Sequence, residues 1–466
     1  MNQPCARALC SVVLGAVAAC SVGPAYRRPD IAPPAQWHET GPTPAAADAS
    51  IWPDPEWWHR FGSPQLDDLI AQAQRSNDDL AGAVARVQEA DAEVRIAGAP
   101  LFPTLDAGGV ATRERTPVSG GGNQLVNVFY PQLTASYELD FWGKNRALRA
   151  AAHASAVASR YDRQTVALTV VGSVATTYFQ VLEYRDRIRV AEDNLANGRR
   201  ILQGFKLEQT AGTATGLDVA QQETAVALLD AAVPPLRQQF SQSLYALAVL
   251  IGKTPDAIEV ALGSLNDLTS PPVLAGLPSQ LLARRPDVAE AEQQLIAANA
   301  DITVARAALF PSIDLTAGGG FESAVLQSLV SPANRVYAVS AGLTQPIFHG
   351  GALRGQVTYA NARYTELLST YHKTVLTAFS NVESALAAAR QTAEQQERQR
   401  EAVTTARRAY QFAQAQLSAG TVNILTVLNT ENALFSAQDV LVQVQYAHLQ
   451  SMVNLFTALG GGWHQG

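Results

Sequence analysis

The sequence predicts a mixed chain, all-α in part and transmembrane β in part. Four strands per chain join those of two further copies in a trimeric twelve-stranded β-barrel, continued by a long α-helical barrel. Three observations predict this: a phrase that returns after 208 residues, a run of more than sixty residues with neither Gly nor Pro, and dozen-residue stretches that alternate apolar and polar. Leu101-Phe102-Pro103-Thr104-Leu105-Asp106 returns as Leu309-Phe310-Pro311-Ser312-Ile313-Asp314, and the same offset lays Gly212-Thr213, Leu217 and Glu223 on Gly420-Thr421, Leu425 and Glu431. A unit of about two hundred residues used twice is far longer than a solenoid period.

The helices come first. Gln356 to Ala419 is rich in Ala, Gln, Glu, Arg and Leu, and as one helix it would be about 95 Å long at ~1.5 Å per residue. Its apolar positions, from Tyr364 through Leu368, Tyr371, Val375, Phe379 and Val382 to Leu386, step by about 3.67 residues, which suits nearly straight packing rather than a left-handed supercoil. Glu394 to Arg408 reads as a solvated face. Lys144 to Ala211 is the counterpart, with breaks expected only at Gly172, Gly198 and Gly204. Each long helix ends at a Gly-Thr turn and reverses, into Leu217–Val233, which Pro234-Pro235 interrupts, and into Val422–Leu459, which Gly460-Gly461-Gly462 ends. Shorter helices, about Asn77–Ala99 and Pro286–Ala308, precede the long ones. Pro286 at the start with Asp287 in the first turn suits a helix N-terminus.

Between short and long helix the period changes to two. In Phe129–Phe141 the odd positions are Phe, Pro, Leu, Ala, Tyr, Leu and Phe, and the even ones Tyr, Gln, Thr, Ser, Glu and Asp. Tyr337, Val339, Ala341, Leu343 and Ile347 alternate likewise with Ala338, Ser340, Gly342 and Thr344. This is an apolar-out, polar-in membrane strand pattern. Partner strands follow the two Leu-Phe-Pro phrases, giving hairpins over about 101–142 and 309–348. Their tips are expected at Thr116–Leu125 and Glu322–Arg335. A barrel must be closed and the smallest have eight strands, so closure needs several chains, and three give twelve.

Residues 1–19 hold one charge, Arg7, and an apolar run Val12–Ala19, which reads as a signal peptide. Val17-Ala18-Ala19-Cys20 resembles a bacterial lipobox, implying cleavage before Cys20 and acylation of its thiol. Cys5 and Cys10 lie in the removed part, so disulfides and Cys-based metal sites are not expected. Without residues 1–19 the chain keeps 33 basic and 41 acidic residues, a net of −8, which disfavours nucleic acid. No apolar stretch of membrane-helix length is expected after Ala19, which argues against a polytopic helical membrane protein. The remaining divisions are 20–64 as a lipidated extended segment with nine prolines in Ser21–Pro64, 65–260 as repeat 1, 261–279 as a linker, and 280–466 as repeat 2. The seven histidines are scattered without metal-helix spacing and no nucleophile elbow is present, so no enzyme, catalytic residue, metal or non-covalent cofactor is expected.

In order along the chain, several stretches resemble the outer-membrane factor (TolC-like) family, in its efflux-type lipoprotein branch. They are Cys20-Ser21-Val22-Gly23-Pro24 with Tyr26-Arg27-Arg28-Pro29, Trp57-Trp58 through Phe61-Gly62 and Pro64-Gln65-Leu66, Tyr137-Glu138-Leu139-Asp140-Phe141-Trp142-Gly143, Leu281–Val288 and Ala297–Ile302. The resemblance implies a homotrimeric duct in the outer membrane of a Gram-negative bacterium, with the α-barrel in the periplasm. It also implies a periplasmic adaptor and an inner-membrane efflux transporter as partners, the chain being a passive exit for small molecules. The family's docking and gating segments fall here on Gly212, Thr213, Leu217, Asp218, Gly420 and Thr421, and on Leu425, Thr426 and Asn429. Asn429 stands where members commonly carry Asp, which removes a carboxylate from the entrance. An exit duct for type I protein secretion and a structural lipoprotein without a pore are the alternatives.

Overall fold

The computed structural model describes residues 22–39, 54–117, 120–271 and 278–463. Its main elements are α1 (Pro64–Ser76), α2 (Asp78–Gly98), β1 (Thr104–Pro117), β2 (Asn123–Glu138), α3 (Lys144–Thr210), α4 (Gly216–Leu250), α5 (Pro286–Ala307), β3 (Ser312–Phe321), β4 (Arg335–Thr344), α6 (Ala352–Ser418) and α7 (Ile424–Ala458). The duplication is visible in the boundaries themselves. Both long helices have 67 residues and both return helices 35, and each starts 208 positions after its counterpart. The chain divides into two compact units.

The first unit holds the N-terminal segment to Asp30 with Ala85–Arg160 and Glu290–His372. Its four strands form one antiparallel sheet in the order β1-β2-β3-β4. The hairpins share a register: Thr104 pairs with Ser136 and Ser312 with Thr344. They differ at the tip. The first ladder zips up to Pro117–Asn123, so Thr116, Gln124 and Leu125, expected in the tip, are strand residues. Gly120, Gly121 and Gly122, all at positive φ, make the reversal that L side chains resist. The second ladder stops at Phe321–Arg335, and the equivalent residues leave as a loop with two short 3-10 turns.

The N-terminal segment packs in this unit as a strap on α5. A Cβ on Gly23 would collide with Thr303, so that step of the sequence requires Gly. The Asn299 amide donates to the Pro24 carbonyl at 3.0 Å. Glu292 accepts from the Tyr26 hydroxyl at 3.4 Å and pairs with Arg28 at 3.2 Å.

The second unit holds Ile31–Val84, Tyr161–Ala289 and Lys373–Gly466. Its core gathers Trp57, Phe61, Leu66, Ile70, Val174, Phe179, Leu182, Leu247 and Phe456, among others. Trp57 stacks on Phe456 at 4.9 Å. The stretch Gln164–Leu182 carries no charge, and α3 is long and apolar enough by composition to cross a membrane. That corrects the expectation that no such stretch follows Ala19. Its apolar residues, Val170 to Leu182, instead fill this core.

Three further expectations are corrected. Helix α1 was not foreseen. It starts at Pro64 behind Ser63, whose Oγ accepts from the Leu66 amide at 3.2 Å, the capping chemistry of a helix start. Pro234 and Pro235 do not interrupt α4. Both are exposed, and the carbonyls they deprive of partners, those of Asp230 and Ala231, belong to exposed residues that water can serve. Gly172, Gly198 and Gly204 do not break α3 either. A Cβ on Gly172 would press Thr457 at 3.0 Å, and one on Gly198 would press Leu229 at 3.1 Å, so these two glycines permit close approach of neighbouring helices.

Candidate functional site: a membrane-facing sheet and two helical turns

The register tests the alternation directly, because paired residues share a face. Leu105 pairs with Ala135, Ala107 with Leu133 and Ala111 with Phe129. Leu133 pairs onward with Gly319, Ala135 with Ala317 and Tyr137 with Leu315. Ile313 pairs with Leu343, Leu315 with Ala341 and Ala317 with Val339. From Leu105 to Ala111, Phe129 to Tyr137, Ile313 to Gly319 and Tyr337 to Leu343 the odd positions thus form one continuous apolar face across four strands, while toward the hairpin tips the same face carries Arg113, Arg115 and Asn127. The even positions join Thr104, Asp106, Gln132, Thr134, Ser136, Glu138, Asp314, Thr316 and Ser340 in a polar one. Tyr337, Val339 and Leu343 are 88%, 78% and 71% exposed in the single chain, an apolar surface that lipid covers without penalty and water does not.

The sheet's descent into helix explains the segment Tyr137 to Gly143 residue by residue. Glu138, on the polar face beside Asp314, is paired with Lys144 at 3.1 Å. Asp140 caps α3, accepting from the amides of Asn145 and Arg146, both at 2.9 Å. Trp142 stacks on Phe310 at 4.7 Å and donates its indole N–H to the Pro311 carbonyl at 2.8 Å. Gly143 turns at φ 80.

At the far ends of α3 and α6 the two turns are copies. Gly212 (φ 77) and Gly420 (φ 70) reverse the chain. Thr213 donates its amide to the Glu208 carbonyl and Thr421 its own to that of Gln416, both at 2.9 Å. Their hydroxyls reach the same carbonyls at 3.0 Å. The helices that follow are capped by different chemistry at equivalent positions. Thr215 and Asp218 make a reciprocal capping box. Hydrogen bonds from the Thr215 hydroxyl and then its backbone amide hold the Asp218 carboxyl below its usual range. In the second copy Asn423 is the cap, and Thr426, at the place of Asp218, donates both its amide and its hydroxyl to Asn423 Oδ1 at 3.2 Å. The caps Thr215 and Asn423 were missed from sequence, although Thr-x-x-Asp before an apolar run is a readable signature.

Leu217 is 66% exposed and Leu425 50%. Thr426 and Asn429 are exposed too, and Leu425 and Asn429, four apart, share a helix face. Glu431, two residues beyond Asn429, is buried. It accepts from Asn197 at 3.2 Å, Asn197 also donates to Tyr410 at 2.5 Å, and burial pushes the Glu431 carboxyl up. Cys20 lies outside the described residues. Among the described residues no cluster of His, Cys, Asp and Glu suited to a metal is present.

A four-stranded sheet with one apolar face in a chain that also carries two long helical hairpins is the architecture of an outer-membrane channel chain. A family model for the outer membrane efflux protein matches residues 69–253 and again 277–461, two matches that repeat the 208-residue offset. The chain belongs to the outer membrane efflux protein family. It is 41% identical to the pyoverdine export outer membrane protein OpmQ of Pseudomonas putida over 467 residues, covering 98% of each chain. It is 33% identical to the toluene efflux pump outer membrane protein TtgC of Pseudomonas putida, covering 96% of this chain and 93% of that one. Among solved structures, the outer-membrane channel OprN superposes with a TM-score of 0.89 at 28% identity, covering 95% of this chain and all of that one. The chain is thus an outer-membrane efflux channel subunit, as its sequence resemblance implies.

Proposed function

We propose that three copies of the chain assemble into the exit duct of a tripartite pump, with a periplasmic adaptor and an inner-membrane transporter as partners. The observation that carries this is the open sheet: β1 and β4 are its free edges, and a membrane-embedded edge must be paired. The turns at Gly212–Asp218 and Gly420–Asn429 dock the adaptor, with Leu217 offering exposed apolar surface. Leu425, Thr426 and Asn429 line the periplasmic entrance. The chain conducts passively and catalyses nothing, the energy coming from the transporter. The cargo is a small molecule. Because the relative at 41% identity exports pyoverdine, a siderophore is the first cargo to assay.

Residues 1–19 act as the signal peptide, and Cys20 carries the lipid that holds the N-terminus at the membrane. The strap residues Gly23 and Pro24 lie against Thr303 and Asn299 on α5, the helix that leads into β3, which supports an anchor at the membrane surface. Loss of acyl labelling in Cys20→Ala checks it, and retained labelling contradicts it. The duct itself is tested in planar bilayers. Purified full-length protein is expected to give discrete single-channel currents. A folded, membrane-inserted preparation that never conducts would support the structural lipoprotein reading instead.

A further inference from the structure

The charged residues of the four strands are sorted by face. Asp106, Glu114, Glu138 and Asp314 stand at even positions, on the polar face. Arg113, Arg115 and Arg335 stand at odd positions, on the face that carries the apolar band. Among the described residues of these strands they are all the charged ones. A carboxylate on the polar face meets the water of a lumen. A guanidinium on the lipid-facing side meets whatever the membrane offers at its own depth, and hydrocarbon cannot solvate it.

All three arginines lie toward the hairpin tips. On β2 the apolar odd positions run from Phe129 to Tyr137, about 27 Å along the strand at ~3.4 Å per residue. At the usual strand tilt that is about 20 Å of depth, near the height of a hydrocarbon-facing band. Ala111 pairs with Phe129 at its upper end, so Arg113 is the first odd position beyond the band and Arg115 the second. Arg113 pairs with Asn127 and is diagonal to Phe129. Arg335 opens β4 and pairs with Phe321, with Tyr337 the next odd position. The cations thus stand just outside Phe129, Phe321 and Tyr337, in the place of the aromatic girdle that borders an apolar band. All three are exposed. The acid nearest to two of them in sequence, Glu114, points to the other face.

Resting on the reading above of a duct whose hairpin tips face outside the cell, we propose that Arg113, Arg115 and Arg335 bind the phosphate groups of lipid A, the phosphorylated glycolipid of the outer leaflet. Charge, depth and geometry agree. The phosphates of that leaflet lie where the hydrocarbon ends, which is the level at which these arginines begin. A guanidinium takes two phosphate oxygens at once through its planar fork. Arg113 and Arg115 are two residues apart on one face, about 7 Å between Cα atoms, so their long side chains converge on one phosphate group. The acyl chains of the same lipid then lie along Ala111, Phe129 and Leu133, the apolar residues below. The sorting itself is what such a ligand demands: a carboxylate among these arginines would compete for them, and all four strand carboxylates are on the opposite face.

The test is native mass spectrometry of the full-length protein in detergent, with lipid A carrying two phosphates added at fixed concentration. The wild type is expected to retain it at least about fivefold more than R113Q/R115Q/R335Q, one good charge-assisted contact being worth about tenfold. R113K/R115K/R335K, which keeps the charge and loses the fork, is expected in between. R398Q, which removes an exposed arginine of α6, is expected to bind as the wild type does. Lipid A stripped of its phosphates, added to the wild type, is expected to bind no better than lipid A does to the triple Gln variant, an arm that needs no altered protein. Equal retention by wild type and triple Gln variant would overturn the proposal, and so would equal retention of phosphate-free lipid A. Phosphatidylglycerol held as well as lipid A would overturn the assignment to the outer leaflet. Single-channel currents from the same preparations keep the two readings apart. A wild type that never conducts fails the duct, whereas a conducting wild type indifferent to lipid A phosphates fails this site alone.

Discussion

Trp142 fastens the end of the first hairpin to the start of the second by one stack and one hydrogen bond. Its counterpart 208 residues on is Gly350, so the device exists once per chain. Trp142→Ala removes the stack and leaves the Pro311 carbonyl without its donor. The expected loss is roughly 2–3 kcal/mol, below the range for a fully buried Trp because Trp142 is half-buried. The check is the temperature at which detergent-solubilised channel unfolds. Glu183 is a second residue with a measurable signature. It is 5% exposed, and burial pushes its carboxyl up to about 7, against the pull of Arg187 and with the help of Asp439. Arg187 itself is shared, binding Glu183 at 3.3 Å and Asp439 at 2.7 Å. A carboxyl whose folded value is raised stabilises the fold in its protonated form. That contribution is complete below the ordinary carboxylate value and is lost as pH rises through about 7. Glu183→Gln, a neutral mimic, should therefore gain on the wild type by about 1–3 kcal/mol at pH 8 and by little at pH 4. Unfolding curves at the two pH values decide it, and equal gains at both would contradict the assignment.

At the scale of elements, the parts read most truly from sequence are those with no competing signal. Gln356–Ala419 contains neither breaker, and α6 runs from Ala352 to Ser418. Strand alternation was legible because period two survives whatever the strand packs against, and the ladders place each face as read. The misses share a cause: a local rule outweighed by what lies around the residue. Pro234-Pro235 breaks a helix only where the freed carbonyls cannot be solvated. Gly172 and Gly198 look like weaknesses until Thr457 and Leu229 are found against them. The uncharged run in α3 is core because Trp57, Phe61 and Phe456 converge on it from distant parts of the sequence, which no window reveals. The turn after α6 was legible in position but not in capping. Asn423 serves α7 where Thr215 serves α4, and Asn429 remains exposed and free to face a lumen. With Asn429 at the entrance as proposed, Asn429→Asp would place three carboxylates there in a trimer, and divalent cations bind carboxylates far better than amides. Stronger divalent block of single-channel current is expected from that variant than from the unmodified channel. Strong block of the unmodified channel that changes at Asn429 leave untouched would place the gate elsewhere.

The whole molecule is a channel only in company. One chain supplies four strands with two open edges, and an open-edged sheet is not stable in a membrane by itself. Within the chain, the joint between β2 and β3 shows how one repeat meets the next. Assembly, not any single residue, is therefore the function-bearing event. The most direct test is the native mass of the full-length protein released from membranes in mild detergent. Three chains per particle are expected, with loss of heat-resistant strand structure when the particle is taken apart. A stable monomer that keeps an intact barrel would contradict it.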